Sequence, residues 1–301
     1  MGRAKKGFET LKKTFQEWKE DDAQTWAASV AFYTMFSLAP LLVLAVALAS
    51  FIFGERAARG ELVTQMETMV GPGGAETIQT ILANASGPGG GGVIATIISV
   101  ALLLLGASKV FGELQKAMNR IWDVRSDPNE GWRGAARKRL TGFAMVLGIG
   151  LFLLAAIAAS TFLSNIQQFV GEVPGGPVVW TALNFVVSLL IIGFLFAALF
   201  KYVPDVEIEW SDVWFGAGIT AALFALGKLA LGIYLSHASV GSAYGAAGSL
   251  VVLLAWIFYS AQIFFFGAEY TQVHAKQRGR SIQPNEHAIH ESEFEAAQPS
   301  M

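Results

Sequence analysis

Apolar residues along this chain follow neither strict alternation nor a steady helical rhythm. They gather in long uninterrupted runs separated by short polar segments. A helix needs about 20 apolar residues to cross the hydrocarbon core of a bilayer. Six stretches predict such helices: Ala27–Phe53, Val93–Ala107, Leu140–Leu163, Val178–Tyr202, Asp212–Leu235 and Gly248–Tyr270. The second has the shortest strictly apolar run and reaches spanning length only with the glycines before it and Lys109–Phe111 after it, so a re-entrant segment is its alternative. The predicted class is all-α, a polytopic membrane protein with six transmembrane helices.

The segments between the runs have patterns of their own. In "KKGFETLKKTFQEWKE" the residues Phe8, Leu11, Phe15 and Trp18 share one helical face with lysines around it. That pattern predicts an amphipathic helix lying on an anionic leaflet, or else a solvated helix packed on the inner loops. Between Glu55 and Ser86, Leu62, Met66 and Met69 repeat, then Ile78, Ile81 and Leu82, with "GPGG" between. This predicts two short amphipathic helices over the outer mouth. The chain thus divides into a basic amphipathic segment (1–26), a six-span membrane domain (27–270) and a tail (271–301). The membrane domain includes an outer cap (54–92) and a basic inner loop (108–139). The tail is polar and aperiodic and is expected to be mostly disordered.

Composition agrees: of 301 residues, 53% are hydrophobic and only 15% charged, against about a quarter charged in soluble domains. The distribution of charge then sets the orientation, since cytoplasmic loops carry an excess of Lys and Arg. Six basic residues precede the first span, eight lie from Lys109 to Arg139, Lys201 follows the fourth span, and three follow the sixth. These make eighteen of the 21, whereas the opposite loops hold only Arg56 and Arg59. Both termini are expected in the cytoplasm. The exception is the acidic inner loop "VPDVEIEWSD", and acidic residues count little in this rule.

Several spellings suggest chemistry and do not carry it. "GPGGGG" (87–92) satisfies a dinucleotide-loop pattern, but a nucleotide site needs that turn inside a soluble βαβ unit. His287 and His290 offer no more than adventitious metal binding in an acidic tail. "NAS" at Asn84 is a glycosylation sequon in spelling only, and an Ala47-x-Ala49 cleavage site is disfavoured by the long charged region before it. No cysteine is present, which removes disulfides, thiolate nucleophiles and Cys-containing zinc sites. No catalytic, cofactor-binding or metal-binding residues are assigned.

The stronger signal lies in polar residues at membrane depth. Ser29, Tyr33 and Ser37 share one side of the first span, and Pro40 continues it. Pro40 cannot give the hydrogen bond that the Phe36 carbonyl expects, so a bend or loosened turn is predicted there. Asn184 lies in the outer third of the fourth span, Lys228 two-thirds of the way out along the fifth, Gln262 in mid-sixth and Glu269 at its inner end. Burying an ionisable group in a membrane costs at least a few kcal/mol, which makes such a group a functional-site hypothesis. These eight residues are the substrate-path candidates. The plainer alternatives are that Lys228 snorkels to the outer headgroups and that Glu269 pairs with Lys109 or Arg120. Small residues at four-residue spacing, Gly193/Ala197 and Gly218/Ala222 among them, predict close-packing faces.

Three stretches carry a resemblance. "AASVAFYTMFSLAPLLVLAVAL", "LQKAMNRIWDV" and "YGAAGSLVVLLAWIFYSAQIFFFGAEYTQ" resemble the first-span, inner-loop and last-span motifs of the YihY/BrkB family of bacterial inner-membrane proteins. The matching positions include Asn119, Trp122, Tyr244, Gly245, Trp256 and Gly267-Ala268-Glu269, while the acidic "PDVEIEWSD" departs from the basic segment expected there. The resemblance implies a multi-pass protein of the bacterial inner membrane, with some relatives linked to moving lipid-type molecules. The family's ribonuclease BN label is disfavoured here, because no metal-binding constellation is spelled out and topology accounts for the basic cluster. No nucleic-acid partner is expected. The leading expectation is a non-enzymatic transporter or flippase-like protein for an amphipathic or lipid-linked substrate, with membrane lipids as partners. A non-transporting scaffold is the alternative, and association into a homo-oligomer stays open.

Overall fold

The structure is a computed structural model and describes residues 3–54, 60, 62–64, 75–76, 78–80, 83, 93–127, 134, 140, 142, 144–145, 148, 152, 176–237, 248–286 and 288–297. Six helices of 18 residues or more are described: α1 (Arg3–Glu20), α2 (Ala23–Phe53), α3 (Val93–Ile121), α4 (Gly176–Tyr202), α5 (Trp210–His237) and α6 (Gly248–Gln277). Four short strands and one short helix complete the described elements: β1 (Val124–Ser126), β2 (Val206–Glu207), β3 (Gln283–Pro284), β4 (Ala288–His290) and α7 (Glu291–Ala297). Among the described residues, three helical stretches are long and apolar enough to cross a membrane: Val179–Tyr202, Trp210–Ala230 and Leu250–Gln277. The predicted span Leu140–Leu163 lies almost entirely outside the described residues, as does most of the outer cap.

The long helices pack in the order α3, α2, α6, α5, α4, with α1 laid against α6 as well. α6 is therefore the centre. Its face toward α5 is fixed by a reciprocal fit of glycines and threonines. A Cβ on Gly216 would collide with Thr271 and the Gly267 carbonyl, and one on Gly267 would collide with Thr220. Each threonine gives its hydroxyl to its own helix, Thr220 to Gly216 O at 2.7 Å and Thr271 to Gly267 O at 2.8 Å. The same hydroxyl oxygens are the threonine atoms nearest the facing glycines, and small residues of this kind let backbones approach closely. The expected Gly193/Ala197 face is buried, with Gly193 against Ala221. Gly218 and Ala222 are exposed instead. The packing face of α5 lies two residues earlier, at Gly216 and Thr220.

Helix ends explain how the chain turns at one end of this bundle. Asp22, at φ 52°, ends α1 in the left-handed region, and its carbonyl accepts from Thr25 and Trp26 to begin α2. α3 runs unbroken for 29 residues, well past the predicted Ala107, and stops before Asp123 at φ 53°. α4 ends before Pro204, as proline disfavours helix in the residue before it. α6 ends in a Schellman turn: Arg280 N–H reaches Ala275 O, Gly279 N–H reaches Lys276 O, and Gly279 takes φ 74°.

The expectation of a mostly disordered tail is overturned. β3 pairs antiparallel with β2 (Val206↔Pro284, Glu207↔Gln283), and β4 with β1 (Val124↔His290, Arg125↔Ile289, Ser126↔Ala288). Residues 281–297 therefore tie the segment after α3 to the segment after α4. The polar, aperiodic composition hid this because such two- and three-residue strands are ordered by their partners rather than by their own pattern. α1, both these segments and the tail gather at the same end of the bundle, hereafter the charged end. The main core lies there too, around Met118, Ile121, Trp122, Phe200 and Phe265.

Candidate functional site: a bonded charged end and unpartnered polar groups at depth

Asp205 organises the charged end. It follows Pro204 at the end of α4 and is 7% exposed. Asn119 on α3 donates to its Oδ2 at 2.8 Å and accepts from its main-chain N–H at 2.8 Å. Gln115 donates to Oδ1 at 3.0 Å, Ser126 to Oδ2 at 3.4 Å, and Asn285 N–H to the Asp205 carbonyl at 3.0 Å. Neutral donors from α3, β1 and the tail thus satisfy one buried carboxylate. Burying a charge costs several kcal/mol unless it is hydrogen-bonded in this way.

Ion pairs surround this hub. Arg120 reaches Asp21 Oδ1 at 3.1 Å and Glu291 at 3.0 Å, and Arg125 reaches Glu291 at 2.9 Å. Lys276 holds Asp123 at 2.7 Å. Buried Asp212, in the first turn of α5, faces Arg278 and Arg280, each at 3.5 Å, and Glu209 also pairs with Arg280. Burial pushes the Asp21 carboxyl up from 3.8 to about 6, outweighing the Arg120 guanidinium that opposes it.

α1 docks on α6 through Thr10, Thr14 and Trp18, all buried, with Thr10 donating to Gln277 Oε1 at 2.9 Å. Phe8, Leu11 and Phe15 remain exposed on the other side. Of the predicted apolar face, only Trp18 is in the packing.

The sequence-predicted polar residues separate into three groups. The Ser29–Tyr33–Ser37 side of α2 turns toward α3: Ser29 donates to Glu113 Oε2 at 3.1 Å, and Ser37 is buried where α3 presents Gly106. Tyr33 is half-buried, and α2 continues as one helix through Pro40. Glu269 is 0% exposed, and neither of its oxygens has a hydrogen-bond partner among the described residues. Arg120, offered as its partner, is engaged with Asp21 and Glu291, and Lys109 is exposed.

Asn184 is exposed on α4, while Lys228 on α5 and Gln262 on α6 are half-buried. Gly193 meets Ala221, and from that contact Asn184 lies nine residues and Lys228 seven residues farther from the charged end. At 1.5 Å per residue the two stand within about 3 Å of the same height. Gly227 packs against the Tyr259 ring, so Lys228 leaves α5 beside its contact with α6. Among the described residues, no carboxylate pairs with Lys228.

Sequence reasoning missed Asp205, Asp21 and Gln272, which donates to the Ile121 carbonyl and to Asp123 Oδ2 at 3.1 Å. Asn119 was singled out only as a motif position. A proline-aspartate step at a helix end is the signal the sequence holds for Asp205.

The sequence model of the family described as "Virulence factor BrkB" matches residues 14–290. The chain belongs to the BrkB family. Several curated relatives carry the name UPF0761 membrane protein. One from Albidiferax ferrireducens is 29% identical over 84% of this chain and 59% of its own length. One from Methylibium petroleiphilum is 28% identical over 87% of this chain and 61% of its own. A third, from Pseudoalteromonas translucida, is 26% identical over 84% of this chain and 81% of its own. The chain thus spans about three-fifths of the length of the first two. No solved structure matches this BrkB-family chain. Family and apolar helices together make it a membrane protein.

Proposed function

We propose that this BrkB-family protein sits in the bacterial inner membrane with its charged end in the cytoplasm. There it acts as a non-enzymatic transporter or flippase-like protein for an amphipathic or lipid-linked substrate. The observation that carries the reading is the pairing in height of Asn184 and Lys228 on adjacent helices, both without a described partner. Polar groups left unmet at membrane depth cost several kcal/mol, which a substrate headgroup would offset. A lysine there attracts a phosphate as a point charge. In this reading half-buried Gln262 lines the way inward, and Tyr202, Trp210 and Trp214 mark the cytoplasmic headgroup level, as aromatic belts do.

The test is reconstitution of the full chain into vesicles holding a tail-labelled fluorescent phosphatidylglycerol, with an external quencher reporting leaflet exchange. The wild type should accelerate exchange, and Lys228→Met should remove most of that acceleration while leaving folding intact. Exchange at the rate of protein-free vesicles would sink the transport reading for phospholipids. The second reading, a non-transporting scaffold, is favoured by the ordered charged end, where the tail adds an outward-facing ion-pair surface around Arg120, Arg125 and Glu291.

A further inference from the structure

We propose that Glu269 is a proton-binding site whose loading is coupled to the docking of α1 on α6. The inference does not depend on transport.

The geometry begins with the hydrogen bond from Thr10 to Gln277. Glu269 lies eight residues before Gln277 on α6, and Trp18 lies eight residues after Thr10 on α1. The helices run antiparallel, since Glu17 and Asp21, at the far end of α1, are charged neighbours of Glu269. Trp18 therefore stands at the height of Glu269 and helps to close it off. The enclosure is made of protein alone, whatever the lipid contributes: Glu269 is 0% exposed in the bare chain.

What neutralises the carboxyl in that enclosure decides the ligand. Among the described residues, the charged groups facing it are Asp21 and Glu17 from α1 and its turn, Asp123 after α3, and Lys276 on its own helix. Three are acidic. The single cation among these described groups, Lys276, is held at 2.7 Å by Asp123, and the nearby Arg120 is held by Asp21. On the α5 side Asp212 is matched by Arg278 and Arg280. Among the described residues, no group of three or more His, Cys, Asp or Glu could hold a metal ion. A buried carboxylate with no countercharge neutralises instead of remaining ionised, and the ligand that fits without a cavity is a proton.

Other polar atoms at this end are also unpartnered among the described residues. Gln272 Oε1, one turn along the same face, is a buried acceptor with no partner, and the buried Trp18 and Trp122 indole N–H groups are donors with none. Losing the proton would place a carboxylate beside three other carboxylates, which water must then reach. Water reaches it when Trp18 leaves, so proton release and α1 undocking favour one another, as linkage requires. No other bond is made or broken.

The chain has no cysteine, so single cysteines can be labelled cleanly. Spin labels at Lys12→Cys on α1 and Glu207→Cys on β2, both exposed, report docking in the full chain in lipid nanodiscs. With one linked proton, the docked-to-undocked ratio should fall by up to tenfold per pH unit above the transition. Glu269→Gln, permanently neutral, should stay docked throughout. A wild-type transition that persists unchanged in Glu269→Gln would overturn the proposal. Infrared spectra of the wild type with isotope-labelled glutamate provide the second measurement if that variant fails to fold. They should contain a protonated glutamic-acid band at neutral pH, and a spectrum holding only ionised glutamates would equally overturn it.

Discussion

At the charged end, Asp205 collects donors from α3, β1 and the tail, and Arg120 joins α1 through Asp21 to α7 through Glu291. Along the same α4 and α5 toward the other end, Asn184 is exposed among Leu183, Phe185 and Val186, and Lys228 sits between exposed Leu226 and Leu229. One region spends its polar groups on itself; the other leaves them open. Side chains satisfied by protein hold the fold, whereas those left open at membrane depth are where a ligand could add something. Glu269 belongs to the first region by position and to the second by its lack of partners.

Breaking the bonded region should produce the largest effect. Asp205→Ala removes the acceptor shared by Gln115, Asn119 and Ser126 and leaves buried amide donors unmet. A loss of about 3 kcal/mol is expected, since an unsatisfied buried group costs about 1–3 kcal/mol and bonds to charge more. Thermal unfolding in detergent measures it. Trypsin cleavage at Arg278 and Arg280 should also accelerate as the tail loosens. An unchanged midpoint would mean that the hub does not hold the charged end.

The glycine–threonine fit comes next and sharpens the comparison with an internal control. Gly216→Ala drives a methyl into Thr271 and the Gly267 carbonyl, and overpacking of this kind costs typically about 1–3 kcal/mol. Gly218→Ala, two residues on, meets nothing within 4 Å. It should be neutral or stabilising by up to about 1 kcal/mol, as replacing a helical glycine by alanine is favourable. Equal effects from the two would refute the assigned packing face.

A smaller effect comes from Asp21. Its folded value, raised to about 6 from 3.8, means that the native state binds the proton more tightly than the unfolded chain does. The resulting stability is fully present below the ordinary value and is lost as pH rises through about 6. Between pH 7 and pH 5 the wild type should therefore gain stability relative to Asp21→Asn, which cannot titrate there. Parallel unfolding curves for the two across that interval would show that Asp21 is not the titrating group.

The helices were legible because spanning runs are long and apolar, and five described helices begin or end within a few residues of the predicted limits. Their packing faces were harder to read. Thr14, Thr220 and Thr271 are buried at helix contacts once each hydroxyl turns to its own helix four residues back, and a pattern of apolar letters misses them. Phe8, Leu11 and Phe15 misled in the opposite sense, being apolar yet left outside. The candidate site was half legible. Lys228 and Asn184 stand out in any apolar run, and their common height follows from antiparallel helices. Asp205 and Asp21 were hidden because their roles arise from partners as distant as Asn285 and Arg120.

The smallest effect on stability should come from the open region, and its smallness is the point. Asn184 is exposed and Lys228 half-buried, neither with a described partner to lose, so Asn184→Leu and Lys228→Met remove polar groups without orphaning others. Each should shift stability by no more than about 0.5 kcal/mol, the range of surface substitutions away from special features. Asn184→Leu replaces an amide by an apolar side chain on a surface already lined by leucine, valine and phenylalanine, so a slight gain in a lipid environment is expected. The double variant should be additive, because two residues that share a height but no bond have no coupling energy to forfeit. Unfolding midpoints of the four proteins in the same lipid-detergent mixture give that cycle directly. A loss above about 2 kcal/mol for either single variant, or strong non-additivity between them, would show that these groups are spent on the fold like those around Asp205. The contrast between the two regions would then fail at the residues on which the transport reading depends.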